Sequence, residues 1–284
     1  MKNTAVLLLD CPDRKGLVAA ISTFLYMHGA NILDADQHQD NELMLFFMRV
    51  EFSLDDFDLN AQSFQEHFQP IAERFEIKWS LKYSTARPSV AIFVSRQIHC
   101  LADLLYRHHA GEFPCRIALV VSNHDAAAPL AAFYGIPFQH LPVSPGSNEQ
   151  VERHQLALLE RDSIELVVLA RYMQVLSSDF VARYPWRIIN VHHSFLPAFT
   201  GGRPYHGAFE RGVKLIGATS HYVTDVLDDG PIIDQDVIRI SHRDQLPDLI
   251  QKGRDAEKVV LARAVRWHLE HRILVHGNKT VVFD

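Results

Sequence analysis

The hydrophobic pattern of the first 84 residues predicts a small unit of four strands and two helices. An apolar run at 5–9 predicts a buried strand, and apolar residues at 18, 21, 24 and 25 follow the spacing of a helix. Two stretches at 32–38 and 43–52 predict a hairpin, followed by a helix at 61–75 and a strand at 77–83. The order βαββαβ predicts a ferredoxin-like unit.

Beyond a polar break at 85–89, the pattern changes to strands that alternate with helices. We predict strands at 90–94, 117–121, 138–141, 165–169 and 188–190, and helices at 101–109, 126–134, 149–161 and 178–183. The chain then continues with strands at 214–223 and 232–240, a helix at 246–271 and a terminal hairpin at 273–275 and 280–283. Such alternation predicts a mostly parallel sheet with helices on both faces.

The predicted fold class is therefore α/β, with two domains. Residues 1–84 form the ferredoxin-like α+β domain, residues 85–89 the linker, and residues 90–284 a larger Rossmann-like domain.

Composition narrows the class of protein. With 48% hydrophobic and 22% charged residues, the chain is typical of a globular protein. No apolar run approaches the ~20 residues of a membrane span, and the N-terminus lacks a signal-peptide pattern, so we expect no membrane partner. The three cysteines, Cys11, Cys100 and Cys115, are far apart and outside any CxxC, which predicts reduced thiols and a cytoplasmic location.

The charge is unevenly distributed. Residues 1–84 hold 13 acidic and 7 basic side chains, whereas the other 200 residues hold 21 of each, which accounts for the net charge of −6. Because neither part has a basic surplus to pair with phosphates, we expect no nucleic-acid partner.

Candidate chemistry begins where the strand at 188–190 ends. Asn190 and His192 are two residues apart, so both side chains leave an extended backbone on the same face. One supplies a neutral amide donor and the other an imidazole that exchanges a proton near neutrality. Polar groups at a strand end also serve simply to satisfy loop backbone, and the spacing alone leaves both interpretations open.

A second segment, 216–231, favours the catalytic interpretation. Together the two segments resemble the formyltetrahydrofolate hydrolase and transferase family, whose signature is Asn-x-His, Ser-x-Leu-Pro and then His-x-Val-x-x-x-x-Asp-x-Gly-Pro. The matching residues occur here in the same order: Asn190, His192, Ser194, Leu196, Pro197, His221, Val223, Asp228, Gly230 and Pro231.

The first strand-to-helix turn of the larger domain indicates the branch of this family. Members that pass the formyl group to a phosphorylated amine carry a glycine-rich phosphate loop there. The turn at 94–101 contains no glycine, and the runs 122–125 and 201–206 also resemble the hydrolase (deformylase) branch. The resemblance thus implies hydrolysis of 10-formyltetrahydrofolate to tetrahydrofolate and formate, which balances one-carbon pools and supplies formate for purine synthesis.

The resemblance also implies roles for three residues. Asn190 would donate to the oxyanion, and His192 would stabilise that oxyanion and pass a proton to the leaving nitrogen. Asp228 would be the general base that activates water and would hold His192 in position. Asp225 and Asp229 are competing candidates for the base, although the family pattern favours Asp228.

Further residues are implied in substrate binding. The loop after the strand at 165–169 lines the pterin pocket in the family, which implicates the run Met173, Gln174, Val175 and Leu176. Some relatives have arginine in place of Gln174, so any role of its side chain is left open. The remaining candidates are Ser194, His221, Val223 and Thr224. For His221, contact with the acidic loop and a core histidine are both open, whereas strand alternation predicts that His193 points away from His192.

The N-terminal unit has a resemblance of its own. The run at 11–17 followed by a helix and Gly-Ala-Asn-Ile at 29–32 is similar to ACT domains, which bind small effectors, often amino acids, at subunit interfaces. This leaves open an amino-acid effector or a purely oligomerising module, and it implies a homo-oligomer.

We expect no cofactor, because the folate is the substrate, and no metal. The pairs at 108–109 and 192–193 do not easily converge on one ion, and the chain has no HExxH, CxxC or His-x-His grouping. Two alternatives remain: a formyltransferase that uses an amine acceptor, and an amino-acid sensor whose folate site is inactive.

Overall fold

The computed structural model describes residues 3–144, 146–198 and 204–284, so the predicted run at Gly201, Gly202 and Arg203 lies outside the described residues. Its contacts divide the chain into two units. The first comprises the chain up to Ala86 together with Glu270–His276 and Thr280–Asp284, and the second comprises Arg87–Leu269 together with Gly277–Lys279. None of the described helices is long and apolar enough to span a membrane.

The first unit has the predicted order of elements. These are β1 (Thr4–Pro12), α1 (Leu17–Met27), β2 (Ile32–Asp40), β3 (Leu45–Ser53), α2 (Ala61–Phe75) and β4 (Lys78–Tyr83). The strands form an antiparallel sheet in the order β2-β3-β1-β4. Asn60 caps helix α2, because its side chain accepts hydrogen bonds from the backbone N–H groups of Gln62 and Ser63. The ferredoxin-like fold is thus confirmed.

The second unit contains a seven-stranded sheet and the remaining helices. Its elements are β5 (Ser89–Val94), α3 (His99–His109), β6 (Arg116–Ser122), a 3₁₀ turn (Asp125–Ala127), α4 (Ala128–Phe133), β7 (Phe138–His140), α5 (Asn148–Arg161), β8 (Leu166–Ala170), α6 (Ser178–Arg183), β9 (Ile188–His192), α7 (Pro204–Arg211), β10 (Leu215–Tyr222), β11 (Ile232–Arg239) and α8 (Leu246–Leu269). Helix α7 is an element that the hydrophobic pattern did not predict.

The sheet of the second unit is mostly parallel, as predicted. Its strand order is β11-β10-β9-β8-β5-β6-β7, in which β9, β8, β5, β6 and β7 run parallel and β10 and β11 run antiparallel to their neighbours. Helices α5 and α6 pack on the face that carries Ala91 and Phe93, and α8 packs on the opposite face against Ala218. The carboxyl ends of β8 and β9 therefore lie side by side, where sheets of this kind bind ligands.

The end of the chain packs differently from the prediction, which assigned it to the larger domain. A terminal hairpin, β12 (Ile273–His276) and β13 (Lys279–Val282), is followed by Phe283, which is buried with Val6, Leu8 and Phe47 in the first unit. Alternate residues of β1 face the helices instead. The contacts group residues 270–276 and 280–284 with the first unit and not with the predicted 90–284 domain, because they cover the apolar face of the first sheet that the helices leave open.

Candidate active site

Strand β9 brings two candidate residues to the wall of a cavity. Asn190 and His192 alternate with Val191, so their side chains leave the same face of the sheet. Strand β10 runs antiparallel beside β9, and its register places His221 opposite Asn190. As a result, Asn190 Nδ2 lies 3.2 Å from His221 Nε2.

The contacts of His221 define which of its ring nitrogens donates. Its Nδ1 lies 2.9 Å from the carbonyl oxygen of Tyr222, which can only accept, so Nδ1 carries a proton. In the neutral ring Nε2 then accepts, and the amide of Asn190 donates to it. Since an amide nitrogen carries two protons, Asn190 keeps one donor for a ligand.

The loop that follows β10 delivers Asp228 to these residues. The N–H of Tyr222, the last residue of β10, donates to the carbonyl of Pro231 at 2.9 Å, which folds the loop back on the strand. A side chain at Gly230 would place its Cβ 1.7 Å from the Tyr222 carbonyl oxygen, so only glycine fits there. Asp228 itself has a φ of 55°, a conformation that costs free energy for residues other than glycine and recurs at functional sites.

Asp228 and His192 form an ion pair at the cavity wall. Asp228 Oδ2 lies 3.2 Å from His192 Nδ1, and Oδ1 lies 3.7 Å from His221 Nε2. Burial by itself would raise the pKa of the Asp228 carboxyl, but its contacts with the imidazoles of His192 and His221 hold that pKa well below its usual value. Within the described residues, the buried Nε2 of His192 has no hydrogen-bond partner, which leaves it for a ligand.

The neighbouring carboxylates are placed differently. Asp225 lines the same cavity, whereas the carbonyl of Asp229 accepts a hydrogen bond from Asn278 Nδ2 at 2.8 Å. The ion pair with His192 belongs to Asp228. Geometry thus agrees with the family pattern in favouring Asp228 as the carboxylate of this site.

The cavity encloses about 230 Å³. Two loops form much of its wall: residues 171–176, which we call the cavity loop, and residues 223–228. All the predicted catalytic and substrate-binding residues except Ser194 line it, namely Met173, Gln174, Val175, Leu176, Asn190, His192, His221, Val223, Thr224 and Asp228. In the cavity loop, Met173 is 51% and Val175 is 69% exposed, so apolar side chains are available to a ligand.

Two predictions differ from the structure, one for a serine and one for a histidine. Ser194 does not line the cavity, because it is buried and its hydroxyl donates to the carbonyl of Ala198 at 2.8 Å. His193 was expected to point away, yet it lines the cavity, with its ring centroid 5.0 Å from that of His192. Strand β9 ends at His192, so the alternation of side chains does not extend to the next residue.

The turn after β5 anchors the cavity loop. Ser95 N–H donates to the carbonyl of Arg171 at 3.2 Å, and Ser95 Oγ accepts from the N–H of Met173 at 3.0 Å. The same hydroxyl donates to Asn123 Oδ1 at 2.8 Å. This turn, which lacks glycine, therefore binds the protein's own backbone.

A buried polar cluster adjoins the cavity, and the sequence analysis missed it. Glu257 on α8 is fully buried and accepts hydrogen bonds from Tyr205 Oη at 2.6 Å and from His99 Nε2 at 2.8 Å. The Nε atom of Arg171, which lines the cavity, lies 3.4 Å from Glu257 Oε2. The sequence did contain one indication of this cluster, since Glu257 is a charged residue on the apolar face of the helix predicted at 246–271.

The same cluster contains the one group of metal-ligand type found among the described residues: His99, Cys100 and Glu257, with ligand atoms within 4.8 Å of one another. Its chemistry does not suit a cation. Burial and the charge of Glu257 raise the pKa of the Cys100 thiol well above its usual value, and both Glu257 oxygens already accept hydrogen bonds. The guanidinium of Arg171 beside Glu257 would also repel a cation.

Comparison with known proteins gives the same picture for both units. Residues 89–265 match the profile of the family described as Formyl transferase, and residues 5–62 match that of the ACT domain. The chain is 52% identical to the formyltetrahydrofolate deformylase of Synechocystis sp., across 99% of this chain and 98% of that protein.

Solved structures are similar as well. The crystal structure of a formyltetrahydrofolate deformylase from Pseudomonas syringae pv. tomato matches with a TM-score of 0.97 and 48% identity, over 100% of this chain and 95% of that one. Glycinamide ribonucleotide transformylase 1 from Symbiobacterium toebii matches with a TM-score of 0.68 and 28% identity, over 72% of this chain and 98% of that one.

Proposed function

The chain belongs to the formyltetrahydrofolate deformylase family, and we infer from this membership that it hydrolyses 10-formyltetrahydrofolate to tetrahydrofolate and formate. One observation carries the inference: the similarity to deformylases extends over nearly the whole chain, whereas the similarity to the transformylase covers 72% of it. The alternative of a formyltransferase is therefore not favoured.

We propose that Asn190 stabilises the oxyanion. Attack of water on the formyl carbon moves negative charge onto the formyl oxygen, and a preorganised donor lowers the barrier to that step. The support is geometric: one amide proton of Asn190 is used by His221, and the other is available on the cavity side.

We propose that His192 acts on the same oxygen and then on the leaving nitrogen. Its Nδ1 faces Asp228, so the ring is held with its buried, unpaired Nε2 available to the substrate. With a proton on Nε2, the ring donates a hydrogen bond to the oxyanion. When the C–N bond breaks, the same proton passes to the nitrogen of tetrahydrofolate.

We propose that Asp228 is the general base. Its Oδ1 atom lies 3.7 Å from Nε2 of His221, so it can accept a proton from water as that water attacks the formyl carbon. Together the three roles balance the reaction: water supplies the hydroxyl of formic acid and one proton, and tetrahydrofolate leaves with a proton on nitrogen.

The cavity loop and the 223–228 loop would hold the folate. We propose that the exposed apolar side chains Met173 and Val175 pack against the pterin ring, while backbone groups of the loop contact its polar edge. Gln174, Leu176, Val223 and Thr224 complete this binding surface, and His221 orients Asn190. Because Ser194 is engaged with Ala198, we leave it out of the binding site.

The first unit is an ACT domain, which supports ligand regulation. We propose that an amino acid is the effector, that the chain forms a homo-oligomer, and that the reaction uses no cofactor. We also propose a cytoplasmic location, since Cys11, Cys100 and Cys115 are free thiols. Formate released there would supply purine synthesis and balance one-carbon pools.

The direct test is formate release from 10-formyltetrahydrofolate by the purified chain without any added amine. We expect stoichiometric formate and tetrahydrofolate, a rate that is unchanged by added amines, and loss of activity in the His192→Ala variant. Formate formation no faster than the spontaneous reaction, or a formylated amine as the main product, would refute the proposal. Addition of single amino acids to the same assay tests the effector.

A further inference from the structure

The cavity loop presents apolar side chains to solvent. Met173 and Val175 are 51% and 69% exposed, yet both line the cavity. Apolar surface in water is unfavourable, so a free loop would collapse and cover these side chains. Something in the surrounding structure must therefore hold the loop in its open form.

The loop begins with a strained residue. Arg171 has a φ of 62°, the left-handed conformation that is costly for residues with a Cβ atom. Its carbonyl accepts from the N–H of Ser95, and two residues later the N–H of Met173 donates to Ser95 Oγ. These two bonds tie the backbone of the loop to Ser95 on either side of the first turn of the loop.

The side chain of Arg171 contacts Glu257 on helix α8, which packs on the face of the sheet opposite α5 and α6. It is 7% exposed, and its Nε lies 3.4 Å from Oε2 of Glu257, which is 0% exposed. Within the described residues, the buried Nε and Nη1 of Arg171 have no hydrogen-bond partner, so the charge of Glu257 is the compensating interaction of this part of the guanidinium. If Arg171 moved away, a buried carboxylate would lose its compensating charge.

We propose that Glu257 is a positioning residue for substrate binding. Through its ion pair with Arg171, it holds the cavity loop in the strained, open conformation that receives the folate. This inference rests on the proposed function and deepens it. Glu257 does not line the cavity, so its effect falls on the affinity for folate and not on the chemical step.

The test is calorimetric titration of the full chain with tetrahydrofolate, together with kcat for formate release. We compare Glu257→Gln, Arg171→Met and the double variant that carries both changes. Tyr205→Phe is the matched control, because it removes a hydrogen bond to Glu257 but leaves the ion pair with Arg171. We expect the Kd of tetrahydrofolate to rise about tenfold or more in both single variants, with kcat of Glu257→Gln changed by less than about threefold.

The double variant separates positioning from stability. It contains no unpaired buried charge, so its melting temperature should recover relative to the single variants, while its weak binding persists. Its effect on Kd should equal that of either single variant, because both changes break the same contact. If the single variants do not fold, the double variant alone decides.

Wild-type affinity in the double variant would overturn the inference, as would equal loss of affinity in Tyr205→Phe. A wild-type chain that does not bind tetrahydrofolate would refute the proposed function, and this inference with it.

Discussion

Replacement of Asp228 by asparagine removes the negative charge beside His192 with little change in shape. The backbone makes asparagine the right choice: Asp228 has a φ of 55°, and asparagine tolerates this conformation better than alanine does. Loss of rate in Asp228→Asn would thus report the missing charge and not a displaced loop.

The size of the effect follows from the contacts of Asp228. Its carboxylate accepts from His192 at 3.2 Å and is proposed to take the proton of water. Loss of a general base costs about 10²- to 10⁴-fold in rate, and loss of the carboxylate that orients a catalytic imidazole costs about 10⁴-fold in other enzymes. Both functions use one carboxylate, so their losses do not multiply. We expect kcat to fall about 10³- to 10⁴-fold, which is about 4 to 5.5 kcal/mol in the barrier.

The assay is formate release under saturating 10-formyltetrahydrofolate, with calorimetric titration of tetrahydrofolate to confirm that the cavity is intact. Asp225→Asn is the comparison, because Asp225 lines the same cavity without the ion pair to His192. We expect this variant to keep its rate within about tenfold. An Asp228→Asn variant within tenfold of the wild-type rate would refute the base assignment, and an equal loss in Asp225→Asn would reassign the role.

The Asp228→Asn variant should also change how the free energy of unfolding depends on pH. The pKa of Asp228 in the folded chain lies below the unfolded value of about 3.9, so the ionised carboxylate stabilises the fold above that pH. This contribution disappears as the pH falls through the folded pKa. Urea unfolding of the wild-type chain and of Asp228→Asn at pH 5 and below pH 4 measures it. A wild-type advantage that grows on acidification would contradict the lowered pKa.

Other positions give independent tests. Asn190→Ala should lower kcat about 100- to 1000-fold with the Kd of tetrahydrofolate unchanged, as measured by formate release and calorimetry. Gly230→Ala forces a Cβ against the carbonyl of Tyr222, so we expect a loss of about 1–3 kcal/mol in unfolding free energy and of activity, because the Asp228 loop must shift. Phe283→Ala opens a cavity in the first unit and should cost about 3–5 kcal/mol in denaturant unfolding.

The fold was largely predictable because its elements have clear periodicity. The runs that became β5, β6 and β8 are mostly continuous apolar stretches, which is typical of strands buried on both faces. Helix α7 was missed because only eight residues form it, beginning at a proline. A stretch that short carries little periodic signal.

The candidate site was predictable for residues that lie within a strand, and less so for residues that come after the strand ends. The two-residue spacing of Asn190 and His192 places both on one face, whereas Ser194 and His193 lie past the last residue of β9. Which partner a side chain takes in a turn depends on tertiary geometry. The hydroxyl of Ser194 donates to the carbonyl of Ala198, and no sequence pattern indicates such a hydrogen bond.

Glu257 shows a different limit. Its helix was predicted from the apolar residues around it, and a carboxylate among them should have raised the question of a buried partner. The partners His99, Arg171 and Tyr205 come from three distant parts of the chain. Contacts between residues so far apart in sequence leave no local pattern from which they could be predicted.

The return of the chain end to the first sheet has a consequence for how the protein is made. Residues 3–86 of the ACT unit emerge from the ribosome before the larger unit, but Phe283 and the hairpin that cover one face of the ACT unit are synthesised only after the larger unit. That apolar face stays uncovered until the segment that contains Phe283 has been synthesised. A fragment ending at Ala86 would keep this face bare, and a regulatory module taken from this protein for separate expression must therefore include the C-terminal segment as a joined or co-expressed piece.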